Sequence, residues 1–440
     1  MKKWIVTAVM MMLVLALAAC GGEPSSTGQG RAQGASTGGA GGNEGSSPVE
    51  IQYWYAWGDK IGENNENLVK QFNESQDEVI VHAHYQGTYD DLHSKTQAAF
   101  AAKNAPEVTQ NEIASIGIFA KSGLTQDLTP FVERDQVDMD DFVQGLMGNS
   151  YVDGKLYGLP YLRSTPILYI NSTMAEEAGL DPAGPSSWEE FEEYARKLTV
   201  PGDRVGITMP INIWFFEGFV AQSNGRMISE DGEKAEFNGS AGVEALNLWL
   251  RMKEEGTLKI PTGDDAGAVT RQDFLNQKAG MVFSSTADLT LLLQIAEEGG
   301  FELNTTFMPA NENYGVPTGG ANLVMTAGLS EEKQEAAWTF IKWMTEKEQT
   351  IYASSFTGYL PSRYSAIESD EMKQLYEEKP QFKVAVDQLE FGRPRPMEAV
   401  YPEVSKILQD QISRAILDTG IKPEDALNEA ASRADELLNR

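Results

Sequence analysis

Nucleophilic catalysis needs a serine, threonine or cysteine beside a base, and this 440-residue chain offers few places for one. Its one cysteine is Cys20, which leaves no thiol for catalysis or a thiolate metal site elsewhere. Ser330-Glu331-Glu332-Lys333 has the S-x-x-K spacing, but a serine followed by glutamates ahead of an apolar-periodic run reads as a helix cap. There is no G-x-S-x-G elbow and no Walker loop. The histidines are His82, His84 and His93. His82 and His84 share a strand face and with an acidic third ligand would suit a metal, although ordinary sheet residues are the favoured reading. With 65 Asp and Glu, spacing alone selects no carboxylate pair. The expectation is a protein that is not an enzyme and that holds no metal and no cofactor.

Binding chemistry is better supplied. A sugar presents a polar rim and apolar C–H faces, so its site combines aromatic platforms with carboxylates and hydroxyls that fix orientation. Trp57, Tyr89, Trp214 and Tyr359 are candidate platforms, and Asp59, Glu112, Ser164 and Ser285 candidate polar anchors. Core packing explains any one of these aromatics as well. The inference rests on all of them falling at expected strand ends or crossings.

The elements that would position them alternate. Residues 49–56 and 79–85 have strand patterning, helices follow each, and a short strand is expected near 107–110. This rhythm predicts an α/β fold with a largely parallel sheet, in which ligands sit beyond the carboxyl ends of strands. Ser187-Trp188-Glu189-Glu190 has the form of a capping box, and Asn238 or Ser240 is expected to cap the helix that reaches Glu255. Further strands are expected at 205–209, 279–283, 305–308 and 321–325, a helix at 331–345, and a last helix opened by Pro423.

Between these two stretches of α/β rhythm lies Tyr151 to Asn171. Pro160 and Pro166 forbid a helix there, and the apolar run Ile167 to Ile170 begins a new strand. We read it as the first passage between two lobes, which the length of the chain also favours. Arg163 is expected to brace that crossing.

The formal charge of −30 makes nucleic acid and anionic membrane surfaces poor partners. Lys2 and Lys3, the apolar run Trp4 to Ala19, and Leu17-Ala18-Ala19-Cys20 have the three-part form of a bacterial lipoprotein signal. Residues 1–19 are thus expected to be removed, Cys20 to carry lipid, and 20–48, rich in Gly and Ser, to be a flexible tether. The expected location is the outer face of the bacterial cytoplasmic membrane, where the lipid anchor is the membrane contact.

From Val49 to about Arg440 the chain resembles the extracytoplasmic solute-binding proteins of ABC importers, in the large family that takes up sugars. The resemblance is carried by the lipobox, FNES (72–75), AFAAKNAPEV (99–108), GKLYGLPY (154–161), TPILYIN (165–171) and SWEEFEEYARKL (187–198). KAGMVFSS (278–285), TGYLP (357–361) and YPEVSKILQDQI (401–412) complete it. It implies a two-lobe periplasmic-binding-protein-like fold with hinge-connected Rossmann-like lobes, 49–162 plus 306–345 and 163–305 plus 346–440. It also implies a monomer that captures a small carbohydrate and delivers it to ABC permease subunits by lobe closure.

The pattern looks closest to glycerol-3-phosphate and glycerophosphodiester binders. Their ligand residues match Tyr89, Glu112, Ser164, Trp214, Ser285, Gly320 and Tyr359, while their phosphate-binding arginine falls at Ser405. Serine cannot replace a guanidinium there. Arg393 or Arg395 of GRPRP is the possible substitute, and Arg393 joins the expected ligand residues. A neutral sugar is therefore favoured over glycerol-3-phosphate. A surface glycoside hydrolase or esterase, or a sensor lipoprotein, are the rival classes.

Overall fold

Ile51, Tyr53 and Tyr55 turn inward while Glu50 and Gln52 stay exposed, and this alternation makes β1 (Val49–Tyr55). The computed structural model describes residues 47–263, 265–418 and 420–440, so the expected signal, Cys20 and most of the tether lie outside the described residues. After β1 come β2 (Val79–Tyr85), β3 (Val108–Glu112), the short pair β4 (Tyr151–Val152) and β5 (Lys155–Leu156), β6 (Leu159–Ser164) and β7 (Pro166–Asn171). Then follow β8 (Val205–Thr208), β9 (Leu258–Lys259), β10 (Ala279–Ser285), β11 (Leu303–Thr306), β12 (Val316–Pro317), β13 (Gly319–Met325) and β14 (Gly392–Arg393).

Ten of them form two 5-stranded sheets, in the orders β2-β1-β3-β13-β6 and β11-β7-β10-β8-β9, while β4 pairs with β5 and β12 with β14. Both larger sheets are mixed, not largely parallel. β1 pairs in parallel with β2 and β3, but β13 runs antiparallel to β3 and β6. In the second sheet β7 runs antiparallel to both β10 and β11. The reason is the chain path. β6 leaves the first sheet at the end where β3 finishes, and after Thr165 the chain enters the second sheet as β7. β11 brings it back, and β13 must then enter the first sheet from that same end, against β3. The outcome is a two-lobe α/β periplasmic-binding-protein-like fold with hinge-connected lobes.

Burial follows from sharing. All six residues of β7 are buried, yet Leu168 and Ile170 belong to one apolar core and Ile167 and Tyr169 to another on the opposite face. Each such side chain contributes about 1.5–3 kcal/mol by leaving water. The first sheet packs through Ile51, Tyr53, Val81 and Leu323 against Phe72, Trp338 and Phe340. Helix Lys347–Thr357 touches both Asp59–Ser75 beside the first sheet and Leu289–Gly299 beside the second.

Helix Trp188–Leu198 buries Trp188, Phe191, Tyr194 and Leu198 on one face, as its spacing predicts. Ser187 Oγ accepts from Glu190 N (3.2 Å), but Glu190 Oε2 accepts from Ser186 N (2.7 Å), one residue before the cap, so the expected box is only half formed. A complete box stands instead at Thr88 and Asp91, at the head of helix Tyr89–Ala101. Helix Ser240–Glu254 has Gly239 as its cap with no side-chain bond, and Asn238 Nδ2 donates to Asn428 (2.8 Å). Among the described residues no helix is long and apolar enough to cross a membrane.

Candidate ligand-binding site

β1, β2, β3 and β6 all finish at the edge of the first sheet from which the chain crosses, and β13 begins there. β8, β10 and β11 finish at the matching edge of the second sheet, where β7 begins. Most of the expected ligand residues sit on these two edges.

Trp57 and Asp59 follow β1 with left-handed φ of 68° and 47°, an arrangement rare for a tryptophan. Trp57 N donates to Gly87 O (2.8 Å), and its indole meets Tyr89 edge to face with centroids 5.4 Å apart. The Tyr89 hydroxyl is buried and has no hydrogen-bond partner of good geometry. Burial, and then the charge of Glu112, raise its pKa. Tyr359 is also buried, and burial with neighbouring Tyr89 raises its pKa too. Asp59 is exposed, and its charge adds to the burial that raises the carboxyl of Asp288.

Ser164 ends β6, 3% exposed, beside the start of β13. A methyl group at Gly319 would lie 2.5 Å from the Trp214 ring and 3.1 Å from Ser164 Oγ, so indole and hydroxyl converge on that glycine. Trp214 is the one residue of helix Ile213–Gln222 that is not buried, and its Nε1 donates to Thr318 O (3.0 Å). Gly320 has φ 86°, and a Cβ there would stand 2.0 Å from Leu162 O, which reserves the position for glycine. Ser285 ends β10, where its Oγ accepts from Ala287 N (3.1 Å) and its carbonyl accepts from Tyr169 Oη (2.6 Å).

Arg163 lies fully buried in the crossing. Its Nε donates to Gly319 O (2.9 Å), its Nη1 to Leu146 O and Asn322 Oδ1, and its Nη2 to Thr318 Oγ1 (3.3 Å). Every one of these acceptors is uncharged, so the residue braces the passage. Burial lowers its pKa to about 9, against an opposing pull from Glu112.

The two arginines of GRPRP part company. Arg393 is exposed, and its carbonyl accepts from Thr318 N (2.9 Å). Arg395 turns inward. Its Nη1 donates to Glu112 Oε1 (2.7 Å), while Nε and Nη2 grip Glu217 Oε2 (2.9 Å) and Oε1 (2.8 Å). Tyr401 Oη donates to Glu217 Oε1 as well (2.7 Å). Glu112 closes β3 in the first sheet, and Glu217 lies on the helix packed over the second, so one guanidinium joins the two sides.

Of the ten expected ligand residues, Trp57, Asp59 and Arg393 are exposed and the other seven are buried or half-buried. Glu217 and Tyr401 were not foreseen. Glu217 left one signal: it is the sole charge in the apolar helix IWFFEGFVAQ, where a carboxylate needs a partner.

His82 and His84, weighed as a metal pair against ordinary sheet residues, have no ligand cluster: His82 Nε2 lies 3.3 Å from Glu50 Oε2, both exposed, and among the described residues no metal-sized cluster occurs. His93, the third histidine, is buried and its Nε2 accepts from Glu112 N (3.2 Å).

Residues 67–383 match the family model of bacterial extracellular solute-binding proteins, and the chain belongs to that family. It is 27% identical over 414 residues to the sn-glycerol-3-phosphate-binding periplasmic protein UgpB of Salmonella typhimurium, across 89% of this chain and 92% of that one. UgpB from Mycobacterium tuberculosis, solved in complex with glycerophosphocholine, superposes with TM-score 0.80 at 26% identity, over 90% of this chain and 99% of the other. The GacH receptor of Streptomyces glaucescens, solved unliganded and with acarbose, has the same fold (TM-score 0.80, 19% identity, 89% and 98% covered). The protein is thus a non-catalytic binder that captures a small polar solute outside the cytoplasm, at the membrane, for an ABC importer.

Proposed function

We propose that the solute is an uncharged mono- or oligosaccharide, held between the facing strand edges and released to ABC permease subunits. One observation carries this: the charges gathered around Arg395 already balance. Arg395 is shared by Glu112 and Glu217, and buried Arg163 adds a second positive charge to their two negatives. A ligand meeting this set needs no charge of its own. A doubly charged phosphate monoester would have to displace a carboxylate from Arg395 in a desolvated setting, which is costly.

Trp57, Tyr89, Trp214 and Tyr359 are the proposed platforms, and Asp59, Glu112, Ser164, Ser285 and the backbone of Gly320 the anchors. Arg395 takes the place first given to Arg393. The lobes are proposed as 49–162 plus 306–345 and 163–305 plus 346–440. Each carries half of the site, so that only the closed form engages the solute fully. Lipid on Cys20 is the proposed anchor, and a monomer the proposed state.

The second reading is glycerol 3-phosphate or a glycerophosphodiester, favoured by the names of the relatives at 26–27% identity. A zwitterionic diester such as glycerophosphocholine has no net charge and escapes part of the electrostatic argument. A thermal-shift screen separates the two. A ligand at a hundred times its Kd adds about 2.7 kcal/mol to folding, so a true ligand raises Tm. Neutral sugars should do so and glycerol 3-phosphate should not; a shift from glycerol 3-phosphate or glycerophosphodiesters alone would replace this reading with the second.

A further inference from the structure

We propose that Glu217 sets the charge class of the solute, as an internal anion seated in the arginine fork that a ligand's phosphate would otherwise take. This rests on the reading of the facing edges as the solute site. Two parallel N–H···O contacts from Arg395 Nε and Nη2, at 2.9 and 2.8 Å, are the geometry with which a guanidinium receives a carboxylate or a phosphate. Tyr401 Oη donates to the same carboxylate at 2.7 Å and lies under Arg395, its ring centroid 6.0 Å from the guanidinium carbon. Glu217 is thus held from two directions, with 4% of its side chain exposed.

Its position ties it to the site. Glu217 stands one turn after Trp214 on the same helix, and residues three apart share a face. Trp214 covers Gly319 beside Ser164. The contact to Glu112 is different: it is a single bond from Nη1, and Glu112 Oε2 also accepts from Ala114 N (3.1 Å). Arg395 therefore belongs first to Glu217 and second to Glu112.

The backbone of Arg395 is fixed independently of both carboxylates. Its N–H donates to Asn149 Oδ1 (3.1 Å) and its carbonyl accepts from Asn149 Nδ2 (2.9 Å). Met397 O lies so near Gly117 that a Cβ there would stand 1.8 Å from it. With the charge of Glu217 removed, the main chain of Arg395 is still held and its Nη1 still bonds Glu112. The cluster of Arg163, Arg395 and Glu112 then carries an excess positive charge that favours an anion beside it.

Glu217→Gln keeps the shape and an acceptor for Tyr401. Calorimetry of the full chain with glycerol 3-phosphate, and with glycerol as the uncharged control, reads the effect. Glu217→Gln should bind glycerol 3-phosphate at least tenfold more tightly than the wild type, with no gain for glycerol. Adding Arg395→Gln to that variant should abolish the gain. Glu112→Gln, which removes only the single bond, should give a smaller gain and serves as the test if Glu217→Gln does not fold.

The proposal is overturned if folded Glu217→Gln, judged by circular dichroism, gains nothing. With that variant unfolded, no gain in Glu112→Gln overturns it equally. A gain that survives loss of Arg395, or a wild type that takes glycerol 3-phosphate more tightly than Glu217→Gln, also overturns it. A wild type that binds no sugar would count against the functional reading alone, because the charge gain is read with glycerol 3-phosphate.

Discussion

Glu112 is held at each of its polar ends: its N–H by His93, one carboxylate oxygen by Arg395, the other by the turn that follows. Since His93 Nε2 must accept, its ring must stay neutral, and burial lowers its pKa from 6.5 to about 4. The unfolded chain therefore binds more protons than the folded one between these values. Stability is lost as pH falls through that window, by up to about 3 kcal/mol from this one residue. Urea unfolding at pH 7 and at pH 4.5 should show a smaller acid loss in His93→Gln than in the wild type; equal losses would remove His93 from the account. Glu112→Ala and Trp214→Ala should each weaken solute binding at least tenfold without unfolding the chain. Unchanged affinity in both, by calorimetry, would sink the site assignment.

At the scale of elements, period-two alternation located β1 and β2 to within a residue, and the strand-end rule pointed to Trp57, Asp59, Tyr89 and Glu112. Direction was not legible. Apolar alternation in β13 is the same for a parallel and an antiparallel strand, so the mixed sheets follow from the crossings and not from local pattern. The Glu217–Arg395 pair was hidden for a related reason. Its partners stand 178 residues apart, and nothing local marks which of many carboxylates an arginine will meet. Gly320 marks where β13 shifts register against β6. Gly320→Ala would place a methyl group 2.0 Å from Leu162 O at a left-handed φ. It should lose more than about 1 kcal/mol in urea unfolding and also weaken binding. A neutral outcome would mean that the crossing relaxes more easily than its contacts imply.

On the whole-molecule scale, β6 to β7 and β11 to β13 tie the two sheets together, and Arg395 joins Glu112 to Glu217 across them. Closure driven by contacts available only when both edges engage the solute makes the liganded protein more compact. Small-angle scattering should thus show a smaller radius of gyration with saturating ligand, and an unchanged radius would point to a rigid site. Charge is the most discriminating property of that site. Titration calorimetry of the wild-type chain, with the best neutral sugar from the screen and with glycerol 3-phosphate, therefore tests the account most directly. The sugar should bind, and glycerol 3-phosphate at least tenfold more weakly; tighter binding of glycerol 3-phosphate would contradict it.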